Sequence, residues 1–534
     1  MSHNHRSSII SVADNGIRAN KSNFNFSKEN RNDQPANFET AIAVAGCGKF
    51  QYLLLLAIIP VSWASSIDTS SIAIILPAAG CDLQMTFFQK GFLNAIVFVG
   101  MVSSGYLWGY IADVRGRRAV FLYGYLADGI CNVLSGFSQD FWTLAFFKFL
   151  SGFIVSGPHA SIVTYTSEFY GIKGRGKIPL LVGYFVTCGN IVSAALALLI
   201  IPQRWSVDLW DGAIVYNSWR IFLSSCGVPI LIGLAFLSLF PESPKFLMSQ
   251  GRMEDAMKVF KTIYRINTGK PAAEYPIQHL ENDLPKEGSD DMDRDGKIEK
   301  KAIFFYPYLS RILLVTVMQF GSMYATNTIR LWQPQLFTIL ENFDAEDYDL
   351  TAGQQTFCEI LDLSSTSANA SATGVGNASC ANLLVDESVY VNTIIVYIFS
   401  SFPILLTSFL LNILNHKILL YICYGISFAC IVYINWSSST LMTLLLASLI
   451  IGLMNTTLSI NVAATVILFP TSLRTIAVSL VMLVGRIGSI VGNLLFPVLL
   501  AQGCLAPMIK LACLVLLCSI LTCFLPLTKK KAKQ

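Results

Sequence analysis

Charge is what this chain has least of. Asp, Glu, Lys and Arg make up 13% of its 534 residues, against 54% hydrophobic residues. A water-soluble domain carries about 25% charged residues. Halving that share leaves most of the surface facing something other than water. Other absences narrow the field. Residues 1–37 are rich in Ser and Asn and hold no apolar core of a secretory signal; they read as a disordered cytosolic tail. No phosphate-cradling glycine loop, zinc-ligand cluster or hydrolase nucleophile turn is present, so no enzyme, metal or cofactor is expected. The net charge of +4 is read as a product of membrane topology, not of a nucleic-acid partner.

Long apolar runs take the place of charge. They cover 50–76, 91–112, 118–139, 141–166, 177–201, 219–240, 309–337, 390–413, 417–436, 440–468, 475–500 and 505–526. A helix crossing a bilayer needs about 20 such residues. The expectation is an all-α membrane protein of twelve transmembrane helices, with 118–139 and 417–436 the weakest of them. Interior Gly and Pro do not oppose this, because neighbouring helices satisfy the freed backbone groups.

Lys and Arg set the orientation, since cytoplasmic segments hold the excess. With both termini cytoplasmic, the basic N-terminal tail, Arg115, Arg117, Arg118, Lys173, Arg175, Lys177, Arg474 and the tail "KKKAKQ" fall inside. Only Lys90, Arg204 and Arg220 fall outside, and 338–389 has no Lys or Arg at all. The chain divides into a cytoplasmic tail with an amphipathic entry segment (1–49), a six-helix half (50–240) and a cytoplasmic linker (241–308). A second six-helix half (309–526) and a basic cytoplasmic tail (527–534) follow. Two six-helix halves around a long middle loop are the plan of major facilitator transporters.

Motifs decide between twelve-helix proteins. "GYIADVRGRR" (109–118) sits between the second and third runs. Gly109 permits close backbone approach, and Asp113 stands at a helix end where it can accept charge-assisted hydrogen bonds. Gly116 marks the turn, and Arg117 and Arg118 anchor the next helix at phosphate level. A plain topological anchor is the alternative reading. Further along lie "SEFYGIKGRGK" (167–177, with Glu168 and Arg175), "NSWRIFL" (217–223), "PESPKFL" from Pro241 (with Glu242) and "FETAIAVAGCGKFQYLLL" (38–55). Together these stretches resemble the major facilitator superfamily. Within it they resemble the synaptic vesicle glycoprotein 2, organic-ion and sugar porter group.

The resemblance implies secondary active transport of a small organic solute, an organic ion or a sugar-like molecule, by alternating access. Proton coupling through Asp68 goes with it. It also implies an alternative, a vesicle-type membrane glycoprotein that binds or regulates on a transporter scaffold. In either case the partners are the lipid bilayer and a small-molecule solute. A vesicle or cytosolic protein held by the tail or central loop is a further candidate. The membrane would be the plasma membrane or a synaptic or secretory vesicle. The family also pairs the 109–118 cluster across its two halves when it faces outward. The second half departs from that pattern. "LNILNHKILLY" has no Asp, Gly or Arg pair, and "ILFPTSLRTIA" keeps Pro470 and Arg474 but has Ile467 where the family has Glu.

The loop 338–389 holds two glycosylation acceptors, Asn369 and Asn377, both in "NAS". Cys358 and Cys380 share its oxidising compartment and are the expected disulfide. "DMDRDGKIEKKA" (291–302) imitates a calcium loop, but Ala302 stands where a chelating Glu is required; it reads as an acidic linker.

Ions are costly in hydrocarbon, so intramembrane charge points to a site. Asp68 is a cation or proton site, or a structural pairing group. Related proteins carry two carboxylates here, and this chain has Ser65 at the first. Arg486 holds an anionic group or pairs with Asp68. Lys148 contacts substrate or pairs within the bundle. Arg330 lies nearer the outer face, where it contacts solute or snorkels to the interface. Asn327, Tyr324 and Trp332 complete the candidate lining, with Trp63, Tyr184, Gln333, Asn455 and Asn461 behind them. Packing or helix-to-helix hydrogen bonds are the alternative for each.

Overall fold

The computed structural model describes residues 35–281, 303–343, 355–363, 387–410 and 414–526, apart from 177, 204, 210, 212–213 and 304. Residues 1–34 of the expected tail, the calcium-loop mimic, Asn369, Asn377, Cys380, Lys177, Arg204 and the tail 527–534 lie outside the described residues. Seventeen helices carry the described fold. α1 (Phe38–Ala45), α2 (Lys49–Ser62), α3 (Ala64–Asp82), α4 (Phe87–Arg115), α5 (Arg117–Ser135), α6 (Phe141–Ser167), α7 (Ile172–Arg175), α8 (Ile178–Ile200) and α9 (Ser218–Leu237) lead into α10 (Pro244–Ser249) and α11 (Met253–Thr268). α12 (Tyr308–Glu341), α13 (Glu387–Leu410), α14 (His416–Tyr433), α15 (Thr440–Leu468), α16 (Thr471–Leu500) and α17 (Leu505–Thr522) follow.

Among the described residues, eleven spans are long and apolar enough to cross a membrane. α2 and α3 count as one of them, Lys49–Asp82. Pro60 removes an N–H from the last turn of α2, and the chain tightens at Trp63, whose N–H donates to the Pro60 carbonyl at 3.3 Å. The twelfth expected crossing, α5, is helical but falls below that standard. Arg117, Arg118, Asp128 and Asn132 dilute its apolar run. It nevertheless packs between α6 and α9. The expectation of an all-α chain also needs amending. Ser206–Leu209 (β1) and Ile214–Asn217 (β2) pair antiparallel between α8 and α9, with Ser206 opposite Asn217.

Buried apolar side chains gather mainly into two clusters. One draws almost wholly on 38–275, the other on 303–525. Where α4 meets α6, a methyl group on Gly100 or Gly152 would overlap a backbone carbonyl of the other helix. Small residues let membrane helices approach that closely. The entry segment is locked to the linker helices. Asn37 caps α1 by accepting from the Thr40 N–H at 2.9 Å. Asn267 of α11 accepts from the Phe50 N–H at 2.9 Å and donates to the Gly46 carbonyl at 2.8 Å.

The bundle has a basic face, bearing Arg115, Arg117, Arg118 and Arg175, and an opposite face. On the opposite face Arg220 pairs with Asp82 at 2.7 Å. The disulfide there joins Cys358 to Cys504, which corrects the expected pairing with Cys380. Cys504 lies 146 residues away in sequence, in the turn before α17. Its N–H also donates to Asp362 Oδ1 at 2.6 Å, so the turn is held beside Cys358 by two bonds.

Candidate functional site

α12 is the most buried of the spans, and it carries most of the polar candidates. Arg330 is only 8% exposed. Its guanidinium donates to Asn327 Oδ1 (2.8 Å) one turn back, to Asn190 Oδ1 (2.8 Å) on α8 and to Thr69 Oγ1 (3.4 Å) on α3. It therefore bridges the two clusters. The snorkelling alternative is corrected: the side chain turns into the bundle. All three acceptors are neutral, and among the described residues no carboxylate lies within 4 Å of it. A buried cation without an anion is costly.

Neighbouring polar groups share that interface. Asn327 also donates to Ser489 Oγ at 2.7 Å. Gln333 is buried with neither amide atom hydrogen-bonded, and the indole N–H groups of Trp63 and Trp332 likewise lack acceptors. Trp332 packs against Phe496, ring centroids 5.1 Å apart. Tyr324 is buried beside Phe320. Arg486 donates to the Met101 carbonyl of α4 at 3.2 Å and makes no ion pair with Asp68, which removes that alternative. Asn461 is absorbed structurally, donating to Tyr424 Oη at 3.1 Å. Asn455 and Tyr184 are half-buried.

Asp68 belongs to a different group, buried in the first half. Asn132 donates to Asp68 Oδ1 at 2.7 Å, and Lys148 donates to Asn132 Oδ1 at 3.0 Å and Ser71 Oγ at 3.2 Å. Lys148 thus pairs within the bundle, through an amide. Asp128 of α5 joins them, accepting from Ser151 Oγ at 3.2 Å. Asp128 is not among the residues expected from the sequence, although an acid inside "GYLADGICNV" is itself a costly intramembrane charge. Asn132 and Asn190 were missed too; an amide in an apolar run is a weaker signal.

The 109–118 residues keep to the first half and the linker that follows it. Arg117 pairs with Glu168 at 3.7 Å and lies over the Phe246 ring. Arg118 donates to the Phe240 and Ser238 carbonyls at 2.8 and 2.7 Å, and its N–H donates to Glu242 Oε1 at 3.2 Å. Burial pushes the Glu242 carboxyl above its ordinary range, against the N–H groups of Ser243 and Arg118 that hold it down. Gly116 is needed here: its φ is +89°, and a Cβ would meet Glu242 Oε2 at 2.8 Å. Arg175 pairs with Glu39 of α1 at 2.8 Å. The close approach expected at Gly109 is not made, since nothing comes within 4 Å of a Cβ there. Asp113 is exposed, and Arg474 has a buried Nε without a partner. Among the described residues no ion pair joins the two halves on the basic face.

On the opposite face the halves touch. Lys90 donates to Gln335 Oε1 at 3.1 Å, Asn94 donates to the Leu331 carbonyl at 3.4 Å, and a Cβ on Gly91 would meet the Asn493 carbonyl at 2.6 Å. A family model described as sugar (and other) transporter matches residues 19–341, more than half of the chain. The chain belongs to that family. Solved structures similar to this family member include the xylose transporter XylE of E. coli. Its partially occluded inward-open form has a TM-score of 0.63 at 15% identity, covering 91% of this chain and 99% of that one. Its inward-open form gives 0.61 at 14%, covering 90% and 97%. The fold is therefore the major facilitator fold, in a multi-pass membrane protein. Curated relatives include synaptic vesicle glycoprotein 2A of Rattus norvegicus, 29% identical over 257 residues, 47% of this chain and 34% of that protein. Synaptic vesicle glycoprotein 2B of the same species is 28% identical over 247 residues, 46% of this chain and 36% of that protein. The matched stretch spans about a third of those relatives' length.

Proposed function

We propose that this chain is a secondary transporter of a small organic solute bearing an anionic group, working by alternating access. Arg330 carries the reading: a buried guanidinium between the halves, solvated only by amides and a hydroxyl. A carboxylate, sulfate or phosphate on the solute would supply the missing charge through charge-assisted bonds. Gln333 and the Trp63 and Trp332 indoles offer further donors to an organic body, and Arg486 offers a second cation. The chain would cross the membrane twelve times with α5 as the third crossing, in halves 50–240 and 309–526. The excess of Lys and Arg on the basic face supports placing both termini in the cytoplasm. The loop with Asn369, Asn377 and the Cys358–Cys504 bond then lies outside or in a vesicle lumen. Resemblance to synaptic vesicle proteins supports a vesicle membrane over other membranes. Proton coupling would run through Asp68.

The test is uptake in proteoliposomes, with a panel of organic anions, organic cations and neutral sugars, with and without an inward proton gradient. Saturable uptake of an anion is expected. Arg330→Gln should lower kcat/KM at least 100-fold, since it removes a charge-assisted bond and leaves an unpaired anion. Uptake confined to cations or neutral sugars, or unchanged in Arg330→Gln, overturns the anionic assignment. A second reading, binding or regulation without flux, draws on the stripped second-half motif. Saturable anion binding without flux under any gradient would favour it.

A further inference from the structure

We propose that Asp68 and Asp128 form one proton-binding site, a single proton shared between two carboxyl groups, with Lys148 as counter-charge. The inference rests on the transport reading only for the use made of that proton; the site itself stands on local geometry. The three side chains come from α3, α5 and α6, and each is 0% exposed. Asn132 Nδ2 donates both to Asp68 Oδ1 (2.7 Å) and to the backbone carbonyl of Asp128 (3.2 Å), which sets the two acids side by side. Their remaining bonds are assigned: Asp68 Oδ1 accepts from Asn132, Asp128 Oδ1 accepts from Ser151, and Lys148 is taken up by Asn132 and Ser71. What is left over is Oδ2 of Asp68 and Oδ2 of Asp128, both buried and both without a donor.

A proton on either acid makes that carboxyl a donor and the other its acceptor. Charge counting leads to the same place. Two ionised acids beside one lysine leave a net negative charge buried among helices, which is strongly unfavourable. Binding one proton from water to one carboxylate, with formation of one O–H bond, brings the cluster to neutrality. Releasing the proton to water returns the negative charge. Lys148 makes no ion pair within 4 Å of either carboxylate, because Asn132 stands between. The acids are therefore not locked into a closed pair. Had Asp128 been apolar, Asp68 and Lys148 would balance and no proton would be held; Asp128 creates the site. The other titratable groups facing it are Tyr125, Cys131 and Cys226, whose ordinary ranges keep them neutral at pH 7.

The experiment uses the full chain in nanodiscs and needs no transported solute, so it can fail while uptake succeeds, or the reverse. Infrared difference spectra at pH 7, in H₂O and D₂O, should show one carboxylic-acid band in wild type. That band should be absent in both Asp68→Asn and Asp128→Asn. Its retention in either variant, or its absence from wild type, overturns the shared site. Melting gives a second readout. The single variants keep charge balance and should melt near wild type. Asp68→Asn/Asp128→Asn leaves Lys148 unbalanced and should lose roughly 5 °C or more, or fail to fold. Adding Lys148→Met should restore the loss. A double variant as stable as wild type would mean that Lys148 is balanced by something else, and the proposal falls.

Discussion

Asp140 ends the turn before α6, and one of its carboxylate oxygens accepts both the Trp142 and Thr143 N–H groups at 3.0 Å. The other accepts from the Thr143 hydroxyl. The hydroxyl bond above all, then the backbone bonds, hold this carboxyl below its ordinary range. An acid whose folded pKa is lowered adds stability above its unfolded value near 3.9. That share disappears as pH falls through the folded value. Asp140→Ala should therefore cost about 1 kcal/mol at neutral pH, the usual worth of an N-cap. The Tm difference from wild type should hold from pH 7 to about 4 and shrink below that. A difference that widens on acidification would contradict the assignment. Single residues also show how far the sequence could be read. Asp68, Lys148 and Arg330 stand out because each interrupts an apolar run with a charge. Asp128 obeys the same rule, but its run is the least apolar of the twelve, so its charge contrasts less with its surroundings. The Cys358–Cys504 bond left no trace at all. Its partners are 146 residues apart, and only the fold brings the turn before α17 to the outer loop.

Elements were more legible than contacts. Each of the apolar runs outside the loops became a helix, because hydrocarbon leaves the backbone no partner but itself. How closely two helices approach is decided by one or two small residues, which an apolar run of this composition conceals. α4 and α6 meet where Gly152 lies against the Val97 backbone and Gly100 against that of Phe149 and Phe153. Neither neighbour is a side chain that can swing away. Gly152→Leu should force the helices apart and lower Tm by several degrees or abolish the folded monomer, as overpacking does. Gly109→Ala, on α4, is the contrast. An added methyl there meets nothing within 4 Å, so melting should match wild type. Both are measured by thermal unfolding in detergent. Equal stability of the two variants would show that the α4–α6 seam is looser than drawn. The β1–β2 hairpin was invisible for a different reason: eight paired residues between two long helices carry too short an alternation to read.

At the scale of the whole molecule, the two faces differ in how the halves meet. Lys90 with Gln335, Asn94 with Leu331 and Gly91 with Asn493 fasten the opposite face. Beyond Met101, where Arg486 makes a contact between α4 and α16, α4 is more exposed. Tyr106 is 92% exposed, and Gly105 and Gly109 have open space beside them. The one ion pair of the 109–118 cluster among the described residues, Arg117 with Glu168, is spent inside the first half, so among those residues no ion pair opposes opening at the basic face. The stripped counterpart in 411–421 has Lys417 as its one charged residue, and Lys417 donates to the Cys523 carbonyl of its own half at 2.6 Å. The resting state should therefore be the one open at the basic face, and a cross-link can hold it. Lys90→Cys/Gln335→Cys, in a background keeping only Cys358 and Cys504, should be bridged readily across the opposite face by a short bifunctional thiol cross-linker, because the pair meets through two long side chains. With that link in place, a third cysteine at Gly109 should still react with a maleimide at the rate seen without the link. The two states exclude one another, because closing the basic face requires the opposite face to part. Failure of the link to form, or slowed labelling at Gly109→Cys once it has formed, would place the resting state on the other side of the cycle. The exposed Asp113 would then have to find its partner in the second half.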